Sequence, residues 1–173
     1  IGLSIAKGLI RSGAYKPKEI ILSRRNKKYL KKLVKEGFHV TKNNANTVKF
    51  SKILIVCVGP QQLKNLLKNI EKHLTDNHLI ISVVSGISIK EIKKQLPKKV
   101  SVIRAMPNTA SSICESITCL SSDGANIQAL RKTNSIFDCL GKTLTIPEEN
   151  MVAATALGAC GVAFFLRAIR AAS

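Results

Sequence analysis

The residues of this chain best placed to do chemistry stand where three apolar runs stop. Val102 and Ile103 run into Arg104 and then a Met106-Pro107-Asn108-Thr109 corner; residues 53–58 stop at Gly59-Pro60; residues 79–84 stop at Ser85-Gly86. A β-branched run that halts in Gly, Pro, Ser, Asn or Thr reads as a buried strand entering a stiff polar loop. Three such ends together describe one rim of a parallel sheet, and ligands of open α/β sheets bind outside that rim. Asn108 and Thr109 could hydrogen-bond a ligand there or merely cap their own turn.

A second chemical position is Arg24, between Ser23 and Arg25. In a dinucleotide-binding unit, the end of the second strand lies roughly 20 residues beyond the phosphate-binding glycines and meets the adenosine ribose. Arg24 follows Gly2 at about that distance, and no acidic residue occurs from 20 to 35. An Asp or Glu there would hold the free hydroxyls of NAD; a guanidinium grips the 2′-phosphate of NADP and a carboxylate repels it. A dinucleotide site in this chain therefore prefers NADPH over NADH. The alternative is a solvated, basic helix start.

Other chemistries find no residues. There is no Ser/His/Asp or paired-carboxylate constellation, so no side chain is singled out as catalytic. The five cysteines, at 57, 114, 119, 139 and 160, form no C-x-x-C, and His39, His73 and His78 stand apart, so no metal site is expected. Reduced thiols suit a cytoplasmic protein. The net charge is +18, from 21 Lys and 7 Arg, which raises nucleic acid as a partner. The cations are mostly Lys, spread over nearly every predicted helix, and aromatics make up only 4% of the chain. A nucleic-acid footprint would be richer in Arg and in stacking rings. A generally basic, solvated surface is the reading, with no nucleic acid expected.

These positions need a scaffold, and the periodicity supplies one. Residues 3–10 form a helix with Leu3, Ala6, Leu9 and Ile10 on one face, stopped by Gly13. Strands follow at 19–22 and 38–41, with a helix at 27–35 between them whose apolar face is Leu30, Leu33 and Val34. Asn44 opens a brief turn or helix to 48. Strands at 52–58, 79–84 and 100–104 alternate with helices at 61–74 and from Ser88, where Glu91 completes a capping box. A strand near the sheet edge is expected at 116–122, a helix at 126–140 and a last strand at 142–146. From Pro147 the composition turns to Ala, Gly and Phe, which predicts one long helix and a boundary between domains 1–146 and 147–173. Residues 151–166 carry no charge, but Arg167 and Arg170 follow and a membrane span needs roughly 20 apolar residues. A packed helix at a subunit interface is expected, with no membrane. The first helix has no strand before it and the last has no partner, so truncation at both ends is expected.

With these motifs in place, the chain resembles the pyrroline-5-carboxylate reductases. The resemblance rests on residues 1–13, Cys57-Val58-Gly59-Pro60 and its helix, LIISVVSGISI at 79–89, RAMPNT at 104–109, and 141–150 leading into 154–161. It implies a doubly wound Rossmann-type parallel α/β sheet followed by a helical dimerisation domain. The implied reaction is NADPH-dependent reduction of a cyclic imine, pyrroline-5-carboxylate, to proline, by a homodimer or higher homo-oligomer. Carried over by residue, Gly2 matches the last glycine of the phosphate-binding turn. Ser23, Arg24 and Arg25 match the ribose-phosphate position, and Asn44 a cofactor-contacting Asn. Cys57, Val58, Gly59 and Pro60 match a cofactor loop, and Val83, Val84 and Ser85 the strand end near the nicotinamide. Met106, Pro107, Asn108 and Thr109 match the loop between nicotinamide and substrate. Gly59 stands where the family usually has Lys, and Gly158-Ala159-Cys160-Gly161-Val162-Ala163-Phe164 replaces the usual Ser-Gly-Ser-Gly-Pro-Ala-Tyr. Two other readings remain. One is another NADP-dependent reductase of related fold; hydroxy-acid enzymes of that build place a catalytic Lys after the boundary, and no Lys occurs from 147 to 173. The other is a basic nucleic-acid-binding module.

Overall fold

The computed structural model describes residues 1–24, 27–97, 99–124 and 126–172, with the side chains of 27–30, 159 and 162 set aside. The expectation for Arg25 lies outside the described residues, as does that for the Leu30 side chain.

Helix α1 (Gly2–Arg11) buries Ile5, Ala6, Gly8 and Leu9 and ends at Gly13, whose φ of 76° is left-handed. Its inner face is therefore one residue round from expectation: Ile5 is buried and Leu3 is exposed. Pro17–Glu19 forms a 3-10 turn, so β1 (Ile21–Ser23) begins later than expected. Helix α2 (Lys27–Lys35) leads to β2 (His39–Thr41), which lies parallel to β1 with Ser23 opposite Thr41. Leu33 packs with Ala6 and Phe38, whereas Val34, one position and about 100° further round, points to solvent. Asn43 caps α3 (Asn44–Phe50) by accepting from the Ala45 amide at 2.9 Å.

Strands β3 (Ile53–Val56), β4 (Leu79–Ser82) and β5 (Ser101–Met106) are parallel, joined by α4 (Pro60–Ile70) and the short α5 (Ile89–Lys93). The Ser88–Glu91 capping box forms as expected: the Ser88 amide donates to Glu91 Oε2 at 2.8 Å, and the Glu91 amide donates to Ser88 Oγ at 3.2 Å. Alternation places Leu54, Val56, Ile80 and Val102 against α4 and α5 on one face, while Ile81, Ile103 and Ala105 meet α1 and α6 (Ile127–Asp138) on the other. Helices thus cover both faces of the sheet. Each fully buried Leu or Ile there contributes about 1.5–3 kcal/mol of hydrophobic stabilisation.

Two features depart from one continuous parallel sheet. After β5 the connection is a single 3-10 turn, Thr109–Ile113, ending at Cys114 with φ 63°. A parallel return needs a crossover of a dozen or more residues, so β6 (Ser116–Ser121) comes back antiparallel. It is flanked by β7 (Gly141–Thr145), parallel to it, and the order is β3-β4-β5-β6-β7. Among the described residues, β1 and β2 form a separate two-stranded sheet.

The C-terminal segment is helical throughout but not one regular helix. Glu148–Asn150 is a 3-10 turn, α7 spans Met151–Ala154, Thr155–Cys160 is π-helical, and α8 spans Gly161–Ala172. Thr155 Oγ1 donates to the Met151 carbonyl at 2.7 Å, and Gly158 and Gly161 add no side chain to resist the widened turn. Met151 is buried, whereas Val152, Leu157, Phe164, Phe165, Leu166 and Ile169 are exposed. Among the described residues, the expected packed helix thus has no cover over most of its length. By length and apolarity alone, Glu148–Ala172 is also sufficient to cross a bilayer.

Candidate functional site

The carboxyl ends of the parallel strands carry the candidate residues, in two groups. At the first, β1 ends in Ser23 and Arg24, both exposed. The Arg24 amide donates to the Thr41 carbonyl at 3.1 Å, continuing the β1–β2 ladder one step past the strand. Ser23 Oγ donates to Asn44 Oδ1 at 2.6 Å, which brings the first turn of α3 to the tip of β1. A hollow of about 390 Å3 opens beside it, lined by Lys42, Asn43, Asn44, Ala45 and Asn69. Glu36 is the only acidic residue between 20 and 70, and it faces Lys7 at 3.9 Å. The stretch from 20 to 35 that leads through the tip carries cations and no carboxylate.

The second group is built by packing. A Cβ added to Gly2 would stand 3.1 Å from both Cβ and Sγ of Cys57, so the start of α1 lies directly on the end of β3. That contact fits an anion cradle: the first amides of a helix have no partners of their own, and here they begin at the rim. Burial pushes the Cys57 thiol up to about 11, so it is a neutral packing group. Val58 is half-buried, Gly59 and Pro60 are exposed, and Pro60 opens α4. Val83 and Val84 are buried and their amides donate to the Val56 carbonyl and Ser82 Oγ, leaving the exposed Ser85 as what a ligand could touch.

The loop after β5 divides in the same way. Met106 belongs to the strand and is buried, as is Pro107; Asn108 is half-buried and Thr109 exposed. Asn108 is a turn capper, as one of the two expectations had it: its Oδ1 accepts from the Ala110 amide at 3.0 Å. Its Nδ2 also donates to the Gly158 carbonyl at 3.4 Å. The loop is therefore tied to the π-helical turn beyond Pro147.

Several supports escaped the sequence reading. A Cβ on Gly8 would fall 1.9 Å from the Ser111 carbonyl oxygen, so α1 presses against the turn that follows Asn108. A lone glycine inside a helical pattern was the available signal. Arg104, first residue of the RAMPNT run, is not on the rim but 5% exposed within β5. Its Nη1 lies 3.1 Å from Glu148 Oε1, which also accepts from the Ile89 amide at 2.7 Å. Nothing in the spacing paired residues 44 positions apart.

Residues 1–86 match the family described as NADP oxidoreductase coenzyme F420-dependent. The whole chain is 48% identical to pyrroline-5-carboxylate reductase 1 of Dictyostelium discoideum, of which it spans 34%. A pyrroline-5-carboxylate reductase structure from Coxiella burnetii matches 98% of the chain at 27% identity and a TM-score of 0.87, the chain spanning 64% of it. The Plasmodium falciparum pyrroline carboxylate reductase, solved with NADP bound, shares the fold at a TM-score of 0.88 and 23% identity, with 63% of it spanned. The chain thus covers between about one third and two thirds of these relatives. Along its entire length the chain is similar to pyrroline-5-carboxylate reductases, and it shares their arrangement of strands and helices.

Proposed function

We propose that this chain is the cofactor-binding part of a reductase that uses NADPH to convert pyrroline-5-carboxylate to proline. Residues 1–146 form the NADP-binding domain, and 147–173 begin a helical domain. The observation that carries the reading is the 48% identity to the Dictyostelium reductase over the full chain. The cation at the tip of β1, in a stretch from 20 to 35 without an acidic residue, supports NADPH over NADH.

Gly2 and the first amides of α1 hold the pyrophosphate. Ser23, Arg24 and Asn44 hold the adenosine ribose and its phosphate, together with Arg25, which lies outside the described residues. Cys57, Val58, Gly59 and Pro60 form the floor beneath the phosphates, with no cation at Gly59. Val83 and Val84 shape the strand end beneath the nicotinamide, and the exposed Ser85 faces it. When bound, NADPH supplies the hydride and the imine carbon accepts it. The chain's own part is placement: Met106 and Pro107 keep that end of the rim dry and stiff, and Asn108 and Thr109 orient what lies above it. A protonated imine is already electrophilic, which suits a site without an acid–base pair.

The exposed Leu157, Phe164, Phe165 and Ile169 are covered by a second copy, making a homodimer or larger homo-oligomer, since a monomer rarely leaves so large an apolar face in water. Cysteines 57, 114, 119, 139 and 160 are all unpaired, which suits the cytoplasm. Fluorescence titration with NADPH and NADH tests the core of this reading. Tighter binding of NADPH, weakened at least about tenfold by Arg24→Glu, is the expected result. Salt-sensitive DNA affinity with no nucleotide binding would overturn it.

A further inference from the structure

The parallel pairing of β1 and β2 has a consequence for selectivity that Arg24 alone does not account for. Ser23 is opposite Thr41, and the Arg24 amide bonds the Thr41 carbonyl at 3.1 Å. The residue that follows Thr41 is Lys42. Two cations therefore leave neighbouring strand tips at the same rung, on the rim where the ribose reading places its phosphate. Lys42 is exposed and lines the hollow beside Asn44, the residue whose side chain accepts from Ser23 Oγ. The other lysines of this region sit on α2, α3 and α4 or just before β3, not at a strand tip.

We propose that Lys42 is a second cation for the adenosine 2′-phosphate, so that the phosphate is recognised by a pair of side chains from adjacent strands. This deepens, and rests on, the reading of the β1–β2 rim as the adenosine end of an NADPH site. The two groups divide the work by their chemistry. A guanidinium is a planar fork that can hold two phosphate oxygens at once, whereas an ammonium is a compact point charge that follows the phosphate as it shifts. Because the rim is exposed, the lysine's share is the smaller one and is screened by salt.

The test compares two probes that differ only by the 2′-phosphate, adenosine 2′,5′-bisphosphate and adenosine 5′-monophosphate, titrated into the full chain at low and moderate salt. The unsubstituted chain is expected to prefer the bisphosphate. Lys42→Gln should reduce that preference about fivefold, leave the affinity for the monophosphate unchanged, and lose most of its effect at high salt. Lys42→Arg should retain the preference and Lys42→Glu should reduce it further. An unchanged preference in Lys42→Gln, with the preference lost in Arg24→Gln, overturns the proposal for Lys42 and leaves the cofactor reading standing. No preference in the unsubstituted chain overturns both.

Discussion

The two halves of the rim hold their candidate residues by opposite means. At β1 and β2 the groups are long, charged and exposed, on strands of three residues each with a small cluster around Leu33 and Phe38 beneath them. At β3, β4 and β5 the candidate side chains are uncharged, with Val83, Val84, Met106 and Pro107 buried, and close contacts with α1 set the place of the strand ends: Gly2 on Cys57, Gly8 on Ser111. In the proposed reading the first half selects by charge, which depends little on the surrounding fold. The second positions by shape, which depends on all of it. Substitutions should separate the two, with stability as one axis and nucleotide preference as the other.

The largest expected loss of stability is Gly8→Ala. Its Cβ would collide with a backbone oxygen, not a yielding side chain, and the cost should reach about 3 kcal/mol in urea unfolding. A change below about 0.5 kcal/mol would mean the two segments part easily. Next, Glu148→Ala leaves Arg104 buried without its carboxylate and should cost about 2–3 kcal/mol, less than for a fully enclosed pair because Glu148 is partly solvated. Glu148→Gln should recover part of that by keeping an acceptor for the Ile89 amide. Gly2→Ala meets Cys57 at a distance that a few tenths of an ångström of movement relieves, so about 1 kcal/mol is expected from thermal unfolding.

A smaller effect is confined to alkaline pH. Cys57 titrates near 11 in the folded chain against an ordinary 9.0, so between those values the unfolded chain has released a proton that the folded one keeps. Fewer protons on the unfolded state make stability fall as pH rises through that window. The slope should be steeper in the unsubstituted chain than in Cys57→Ala. Equal slopes would show that the thiol is solvated. Last, Arg24→Ala should leave stability within about 0.5 kcal/mol while lowering the preference for NADPH. Comparable losses on both axes would erase the distinction between the two halves.

Much of the scaffold was legible because it follows local rules. The strands at 53, 79 and 101 are nearly continuous apolar runs, as strands covered on both faces must be. The Ser88–Glu91 box and the stop at Gly13 need only a few residues each. What escaped was of longer range. Whether Leu3 or Ile5 faces inward depends on where α1 lies, not on its periodicity, and both fit an apolar stripe. Met106 and Pro107 read as loop residues because Pro ends a ladder, yet the strand runs to Met106 and the core reaches past it.

By itself the sequence determined which residue types reach the rim: a cation and no acid after β1, and Pro, Asn and Thr after β5. It also determined the two-sided burial of the central strands, since the order of apolar residues admits little else. Only the tertiary structure decided that β6 turns back antiparallel, that Arg104 pairs with Glu148, and that Asn108 is tied to Gly158. The reason is the same in each case. Pattern along the chain specifies which faces must leave water, but the partner met on the other side is chosen by the packing of segments many residues apart.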